Sequence, residues 1–344
     1  MSLETLEDAA STRATRATLA RVAAEASVSM STVSKVLNGR NGVSDATRSR
    51  VEVLLHSHGY NRRGATQTAP LVELVFSELD TAWSIEIIRG VERVARENGM
   101  SVVLTESGDR HSPGPEWIDG VMQRRPSGVI LVFSDLSTAH KKQLRTRNIP
   151  FVVVDPAGDP APDVPSIGSA NWSGGVLATR HLIDMGHRDI AMITGPDDMM
   201  CSRARLSGYR SALEAAGIPI RPELIVGGQF HREDGVERGR ELLSLPNPPT
   251  AIFAGSDLQA LGVYEAARAR GLTIPGDLSV VGYDDLQIAE WVGPPLTTVR
   301  QPLTEMAEQA TRLVLRMNDA DPPKSMRIDL ATSLVVRSST RSLA

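Results

Sequence analysis

Apolar residues Leu19, Val22, Ala23 and Ala26 recur at three- and four-residue spacing, which predicts one apolar face on a short helix that begins near Thr18. Ser27-Val28-Ser29 interrupts that pattern, and Ser29 is placed to cap a second helix whose inward positions are Val33, Val36 and Leu37. Asn38-Gly39 supplies the stop. Ser44 then caps a third helix with Val51, Leu54 and Leu55 facing in, and His58-Gly59 ends it. Three helices in so few residues, the first two joined by a three-residue turn, predict a helix-turn-helix. Its second helix is left with Met30, Ser31, Ser34 and Lys35 pointing outward. These are small, polar or cationic side chains that a DNA groove admits, although a purely structural helix could present the same face.

From Leu71 the pattern changes. The runs LVELVF (71 to 76), SVVLT (101 to 105), GVILVF (128 to 133), FVVVD (151 to 155), IAMIT (190 to 194), AIFAG (251 to 255) and LSVVGYDD (278 to 285) read as buried parallel strands. Amphipathic stretches such as SIEIIRGVERVARENG, GGVLATRHLIDMGH, RLSGYRSALEAAG and LQALGVYEAARARG lie between them, each ending in glycine or Gly-His. Such alternation predicts an α/β fold with doubly wound parallel sheets. Some 270 residues exceed one comfortable sheet, so two lobes are expected, dividing near Gly168 to Ser173. The expected organisation is an extension at 1–17, the helix-turn-helix at 18–63, a turn-prone linker GATQTAP at 64–70 and the two-lobed body at 71–340.

Charge sharpens this division. Between Ser11 and Gly64 nine Arg and Lys face three acids, a net of +6, while the whole 344-residue chain carries −4, so the remainder carries −10. A basic end on an acidic body is the distribution expected when one small module touches phosphates and the rest repels them. A hydrophobic content of 41% with 23% charged residues is that of a soluble globular protein. The single Cys201 excludes an intrachain disulfide and suits a reducing compartment. No apolar run reaches membrane-spanning length, and MSLETLEDAASTRATRATLA lacks the apolar core of a secretory signal, so the cytoplasm is expected.

Ligands in doubly wound sheets bind at the C-terminal ends of strands. There stand Asp155, Ser256-Asp257 and Asp284-Asp285, with Arg203 and Arg205 at the start of the helix after IAMITG. Trp83, Trp172, Phe230 and Trp291 lie in or near connecting loops. Carboxylates, an arginine and aromatic rings together suit a sugar: they accept from and donate to hydroxyl pairs, and the rings stack on the apolar sugar face. Asp257 and Asp285 are better read as caps of the helices that follow them.

Catalytic signatures are missing: the chain carries no phosphate loop, no GxSxG and no HExxH. The seven histidines lack metal-ligand spacing apart from His56 and His58, which sit at a helix end beside the basic module. Cys201 reads as a small residue at a helix start. Neither catalysis nor a cofactor is expected.

The stretch TLARVAAEASVSMSTVSKVLNGRNGVSDATRSRVEVLLHSHGYNRR resembles the headpiece of the lactose-repressor (LacI/GalR) family. The body resembles that family's periplasmic-binding-protein-like effector domain through HLIDMGHRDIAMITGP, SRARLSGYRSALEAAGI, AIFAGSDLQALGVYEAARARGLTIPGDLSVVGYDD and PPLTTVRQP. The resemblance implies a transcriptional regulator, a repressor, that binds operator DNA as a homodimer and is controlled by a small effector, a carbohydrate; the alternatives are a purine-like effector, since the loop aromatics stack on bases as well, and a sugar-binding sensor or solute-binding protein without a transcriptional role. The resemblance places Met30, Ser31 and Lys35 against base edges, and Thr18, Thr32, Ser34 and Asn38 on phosphates. Lys35 stands where the family more often has arginine, and lysine lacks the rigid fork. For the effector it implies Arg205 and Asp284 as main contacts, with Asp155, Trp172, Phe230 and Ser256 as weaker ones, and Trp83 joins them as a loop aromatic. Ser256 replaces an asparagine found in many relatives, so a long amide contact is missing. The family's hinge helix carries a leucine that wedges into the minor groove, and no such leucine stands between Tyr60 and Leu71.

Overall fold

A computed structural model describes residues 19–37, 42–57, 69–79, 81–108, 113–133, 136–156, 158, 164–319 and 327–343. The chain divides into two compact units, Met1–Thr68 and Ala69–Ala344.

In the first unit, α1 spans Leu19–Glu25, α2 Met30–Leu37 and α3 Asp45–Ser57. Val22, Ala23, Ala26, Val33, Val36, Val51 and Leu55 are its buried core, with Leu54 partly buried against it. The polar ends follow the sequence: the Ser29 hydroxyl accepts the Thr32 N–H at 3.2 Å, and Ser44 accepts that of Thr47 at 3.4 Å. Ser27, with φ 52°, makes the tight turn between α1 and α2. The expected stops at Asn38-Gly39 and His58-Gly59, most of the linker with its missing leucine, and the imidazoles of His56 and His58 lie outside the described residues.

The second unit is two α/β lobes. In the first, β1 (Ala69–Phe76), α4 (Ala82–Glu97), β2 (Ser101–Glu106), α5 (Pro115–Arg124), β3 (Pro126–Val132), α6 (Thr138–Thr146), β4 (Phe151–Val154) and β5 (Ser166–Ser169) follow one another. The second takes α7 (Asn171–Asp184), β6 (Ile190–Ile193), α8 (Met200–Ala215), β7 (Ile225–Val226), α9 (Arg232–Leu243), β8 (Ala251–Ala254), α10 (Asp257–Ala269), β9 (Ser279–Asp284), α11 (Ile288–Trp291) and β10 (Thr297–Arg300). The chain then returns to lobe 1 as α12 (Leu303–Arg316) and β11 (Arg327–Leu330), and ends in lobe 2 with β12 (Ser333–Val335).

The sheet orders are β11-β5-β4-β3-β1-β2 and β12-β10-β9-β8-β6-β7. All pairs are parallel except β10 with β12. Both sheets reverse direction between their first and third strands, β1 with β3 and β6 with β8, and a crevice opens at such a switch point. Each lobe has apolar clusters on both sheet faces, with Leu74, Ile130 and Ile167 among the largest fully buried side chains of lobe 1 and Phe253, Met192 and Tyr283 of lobe 2.

The expectation of one lobe boundary is incomplete. The chain crosses between lobes three times, at 170, 301–302 and 331–332, because α12 packs on α4 and on the lobe 1 sheet. Strands β5, β7, β10, β11 and β12 carried no recognisable apolar run: they are two to four residues long and read SIGS, IV, TTVR, RIDL and SLV. Among the described residues no helix is long and apolar enough to cross a membrane.

Candidate DNA-binding face and effector cleft

On α2, Met30 is 52% exposed, and Ser31, Ser34 and Lys35 are exposed too, as the helical spacing predicts once Val33 and Val36 turn inward. Thr32 is half-buried and its hydroxyl lies 2.9 Å from that of Ser29, which also sits 2.8 Å from the Ser31 hydroxyl. Thr18 and Asn38 lie outside the described residues.

Between the lobes lies a cavity lined by residues of both, the concave kind of place where a small organic ligand binds. Lobe 1 contributes the end of β1 (Phe76, Ser77, Glu78), the start of α4 (Trp83, Ser84) and Phe133 after β3. Lobe 2 contributes Met199, Cys201 and Arg205 after β6, Phe230 after β7, Ser256 after β8, and Asp284 and Leu286 at the end of β9. The two switch points therefore face one another across the cavity. At its mouth His231 Nε2 lies 3.8 Å from Glu78 Oε2, a contact from one lobe to the other.

Trp83 and Phe133 form an aromatic wall with ring centroids 4.4 Å apart and planes tilted by 31°. Arg205 forms the opposite pole. Its helix is seated close to α7, where a Cβ on Gly175 would meet the Arg205 backbone and one on Gly208 would meet the Trp172 carbonyl. The guanidinium stacks on Tyr283 at 3.7 Å and lies 5.3 Å from the Phe230 ring centre. Its Nε donates to Asn171 Oδ1 at 2.8 Å and its Nη1 to the Gly255 carbonyl at 2.6 Å, with Asp284 Oδ1 at 3.9 Å. Of its five N–H donors, two are spent on these protein acceptors, and the group lines the cavity. Burial opposes its charge, but Tyr283, Cys201, Asp284 and Asp155 outweigh that and hold its pKa above the ordinary arginine value.

The carboxylates respond oppositely. Burial pushes Asp155 up to about 6 and Asp284 up to about 7, with Arg205 pulling both back. Asp284 also accepts from Gln301 Nε2 at 2.6 Å. Burial likewise pushes the Cys201 thiol well above its usual value, so the buried sulfur stays protonated, in keeping with its reading as a helix-start residue. Phe133, Asp155, Phe230 and Asp284 all hold positive φ (53°, 48°, 70° and 116°). Non-glycine residues in that region are costly, and such strain gathers where a structure holds side chains for a ligand.

The expected effector residues are therefore only partly brought together. Trp83, Arg205, Phe230, Ser256 and Asp284 line the cavity. Asp155 is buried behind it, near Arg205, with Oδ2 lacking a hydrogen-bond partner. Trp172, in the first turn of α7, is 48% exposed and not part of the lining, and Trp291 is 68% exposed at the end of α11. Arg203 is exposed and bonds the carbonyls of Asp197 and Asp198.

Two cap assignments change, those of Asp257 and Asp285. Ser256 is the cap of α10, accepting the Gln259 N–H at 3.1 Å and donating to the Phe230 carbonyl at 2.9 Å, so its hydroxyl is already engaged. Asp257 is therefore no cap: it is wholly buried and accepts from the Thr298 hydroxyl at 2.6 Å and the Leu286 N–H at 2.8 Å, which pins the loop after β9. Asp285 does not cap α11 either, since it holds Arg300 at 2.6 Å and Arg337 at 2.7 Å. The lining residues Phe76, Phe133, Met199, Gln229, His231 and Leu286 were not singled out in the sequence. Phe76 and Phe133 close the predicted strands LVELVF and GVILVF, so the strand-end rule could have found them.

Two predictions arise here. Gly195→Ala would set a methyl group onto the Phe230 ring, and it is expected to displace Phe230 and weaken ligand binding while the melting temperature changes little; calorimetric titration and melting curves check it. Second, a carboxyl whose folded pKa is raised adds stability that is full below its unfolded pKa near 4 and is lost as pH climbs through the folded value. For Asp155 and Asp284 that window closes at about 6 and about 7. Asp284→Asn, which keeps an oxygen for Gln301, is expected to melt with less loss between pH 5.5 and 8 than the unaltered chain. Equal slopes in paired melting curves would contradict it. Among the described residues no group of three or more His, Cys, Asp or Glu could hold a metal ion.

Comparison with known proteins agrees with this division. Residues 18–63 match the family model described as bacterial regulatory proteins, lacI family, and residues 179–340 match that of the periplasmic binding protein-like domain. The HTH-type transcriptional repressor CytR of Escherichia coli is 32% identical over 316 residues, 90% of this chain and 92% of the relative. A solved complex of the transcriptional regulator CelR with cellobiose shares 35% identity at a TM-score of 0.70, covering 94% of this chain and 100% of that one. The solved lac repressor dimer bound to operator and an anti-inducer shares 27% identity at a TM-score of 0.68 over 95% and 100% of the two chains. With the headpiece, the two lobes and that identity over nine-tenths of its length, the chain belongs to the lacI family of bacterial regulatory proteins.

Proposed function

We propose that this chain is a cytoplasmic transcriptional repressor that binds operator DNA as a homodimer and is controlled by a carbohydrate held between the lobes of its body. The observation that carries the effector reading is the cavity itself: both lobes line it, with an aromatic wall opposite a buried arginine that has donors to spare. A sugar ring offers an apolar face to Trp83 and Phe133 and hydroxyl pairs to Arg205 and Asp284. Because the ligand touches both lobes, it favours one lobe arrangement over another, and that difference is all that coupling to DNA affinity requires. A cellobiose-bound relative supports the choice of carbohydrate. The flat aromatic wall also suits a purine-like ring, which is the second reading.

On the DNA side, Met30 and Lys35 suit base edges: Met30 can meet a thymine methyl, and Lys35 the O6 and N7 acceptors of guanine. Ser31 reaches a base edge from the same turn. Ser34 and Thr32, with Thr18 and Asn38, hold phosphates and set the register. A two-fold dimer then reads a near-palindromic site. The protein acts as a regulator and turns over no substrate.

The test is a melting-temperature screen against monosaccharides, disaccharides and purine nucleosides, followed by gel shift on an operator selected from random duplexes. A sugar that raises the melting temperature and alters operator affinity is expected. A nucleoside that does so selects the second reading, and a screen without response rejects the effector cleft.

A further inference from the structure

At the back of the cavity, five buried residues form a polar circuit of four hydrogen bonds and one longer ion pair. The Ser169 hydroxyl, at the end of β5, donates to Gln301 Oε1 at 2.6 Å, and Gln301 Nε2 donates to Asp284 Oδ1 at 2.6 Å. Asp284 lies 3.9 Å from Arg205, whose Nε donates to Asn171 Oδ1, and Asn171 Nδ2 returns to the Ser169 carbonyl at 3.2 Å. None of the five is more than 6% exposed.

Their placement in the fold gives the circuit its meaning. Ser169 and Asn171 flank the first crossing between lobes, and Gln301 stands in the second. The third is tied to the first, since the Ala170 N–H donates to the Leu330 carbonyl at 2.8 Å and the Thr332 hydroxyl to the Ala170 carbonyl at 3.3 Å. Ser169 is the member seated in a lobe 1 strand, and the circuit reaches it through Gln301 on one side and Asn171 on the other. Buried polar networks are a weak source of stability, because similar apolar groups would serve as well, but they fix geometry when every bond is made. Here the geometry fixed is the relative position of the crossings. Two members, Arg205 and Asp284, also line the cavity.

We propose that Gln301 is the positioning residue that couples occupation of the cleft to the angle between the lobes. Its amide holds Asp284 of lobe 2 with one atom and Ser169 of lobe 1 with the other, so a ligand that engages Asp284 alters the bond that steadies the crossings. This role rests on the reading of the cleft as an effector site.

The test places spin labels on the full chain at Lys142→Cys and Arg240→Cys, exposed positions in lobes 1 and 2, with the buried Cys201 left in place. Pulsed electron resonance then gives the interlobe distance without ligand and with excess cellobiose. Gln301→Met keeps the side-chain length and removes both bonds. It is expected to shift or broaden the ligand-free distance by more than about 2 Å, the scale of a hinge rearrangement, and to remove any change caused by cellobiose. Ser169→Ala cuts the same circuit from lobe 1 and should reproduce the change, which keeps the test decisive if Gln301→Met folds poorly. Thr311→Val removes a buried hydroxyl bond inside α12, 2.7 Å to the Ala307 carbonyl, and should leave the distance alone at a similar loss of melting temperature. An unchanged distance in both Gln301→Met and Ser169→Ala, or an equal change in Thr311→Val, overturns the role of Gln301. If cellobiose leaves the unaltered chain unmoved, that counts against cellobiose as the effector, the coupling is then read with the ligand that the melting screen selects, and the ligand-free comparison still overturns or upholds the hold of Gln301 on the lobe angle.

Discussion

Lys35→Ala is expected to cut steeply the preference for operator over random duplex. A good base contact contributes about 1–3 kcal/mol of discrimination, and two half-sites double it to about 2–6 kcal/mol. At about 1.4 kcal/mol per factor of ten, the ratio of specific to non-specific affinity falls roughly 30-fold to 10⁴-fold. The body does not depend on this exposed residue, so sugar affinity should be unchanged. Competition gel shifts at fixed salt give the ratio directly, and the salt must be fixed because phosphate contacts dominate the absolute affinity. If the variant protects the same site with the same ratio, Lys35 does not read bases.

Arg205→Ala has the largest expected effect on the body. It removes the donors to Asn171 and Gly255 and leaves Asp284 and Asp155 buried without a cation. Breaking a buried ionic partnership costs about 3–5 kcal/mol, and effector binding should fall below detection. The cost has a pH signature. Without the arginine both carboxyls hold their protons to higher pH, so the variant is expected to lie closest to the unaltered chain at pH 5.5 and to fall furthest behind at pH 8. Arg205→Lys keeps a charge but not the planar fork, so it should recover stability and leave effector affinity low. Operator binding without effector is expected to persist in both variants wherever they are folded. Melting curves at the two pH values with sugar titrations check this, and a normal titration in Arg205→Ala would sink the assignment.

Much of the fold was legible because burial writes itself as periodicity. Val22, Ala26, Val33 and Val36 repeat with the helix and are all buried; FVVV and AIFA are solid apolar runs and form central strands. Arg205 was singled out by the family resemblance; its place at a helix start paired it with Arg203, which is exposed. What escaped notice was short or polar. SIGS and TTVR make strands only because a neighbouring strand supplies the ladder, and no local pattern announces that.

The polar residues divide in the same way. Ser256 and Asp257 are adjacent and both follow a strand, so spacing gave no means to tell which caps α10; the choice was made by Thr298 and Leu286, 41 and 29 residues away, which claim Asp257. Trp172 and Trp83 looked alike as loop aromatics, yet the packing of α4 turns one into the cavity and the first turn of α7 leaves the other at the surface.

The sequence by itself determined the three-helix headpiece, its outward face, the charge division and the α/β nature of the body, because each depends on residues within a turn or a strand of one another. Only the tertiary structure decided the triple crossing of the chain, the composition of the cavity wall and the circuit through Gln301. Those depend on groups such as Ser169 and Gln301, 132 residues apart, meeting at 2.6 Å, and a contact of that kind leaves no periodic trace in the chain.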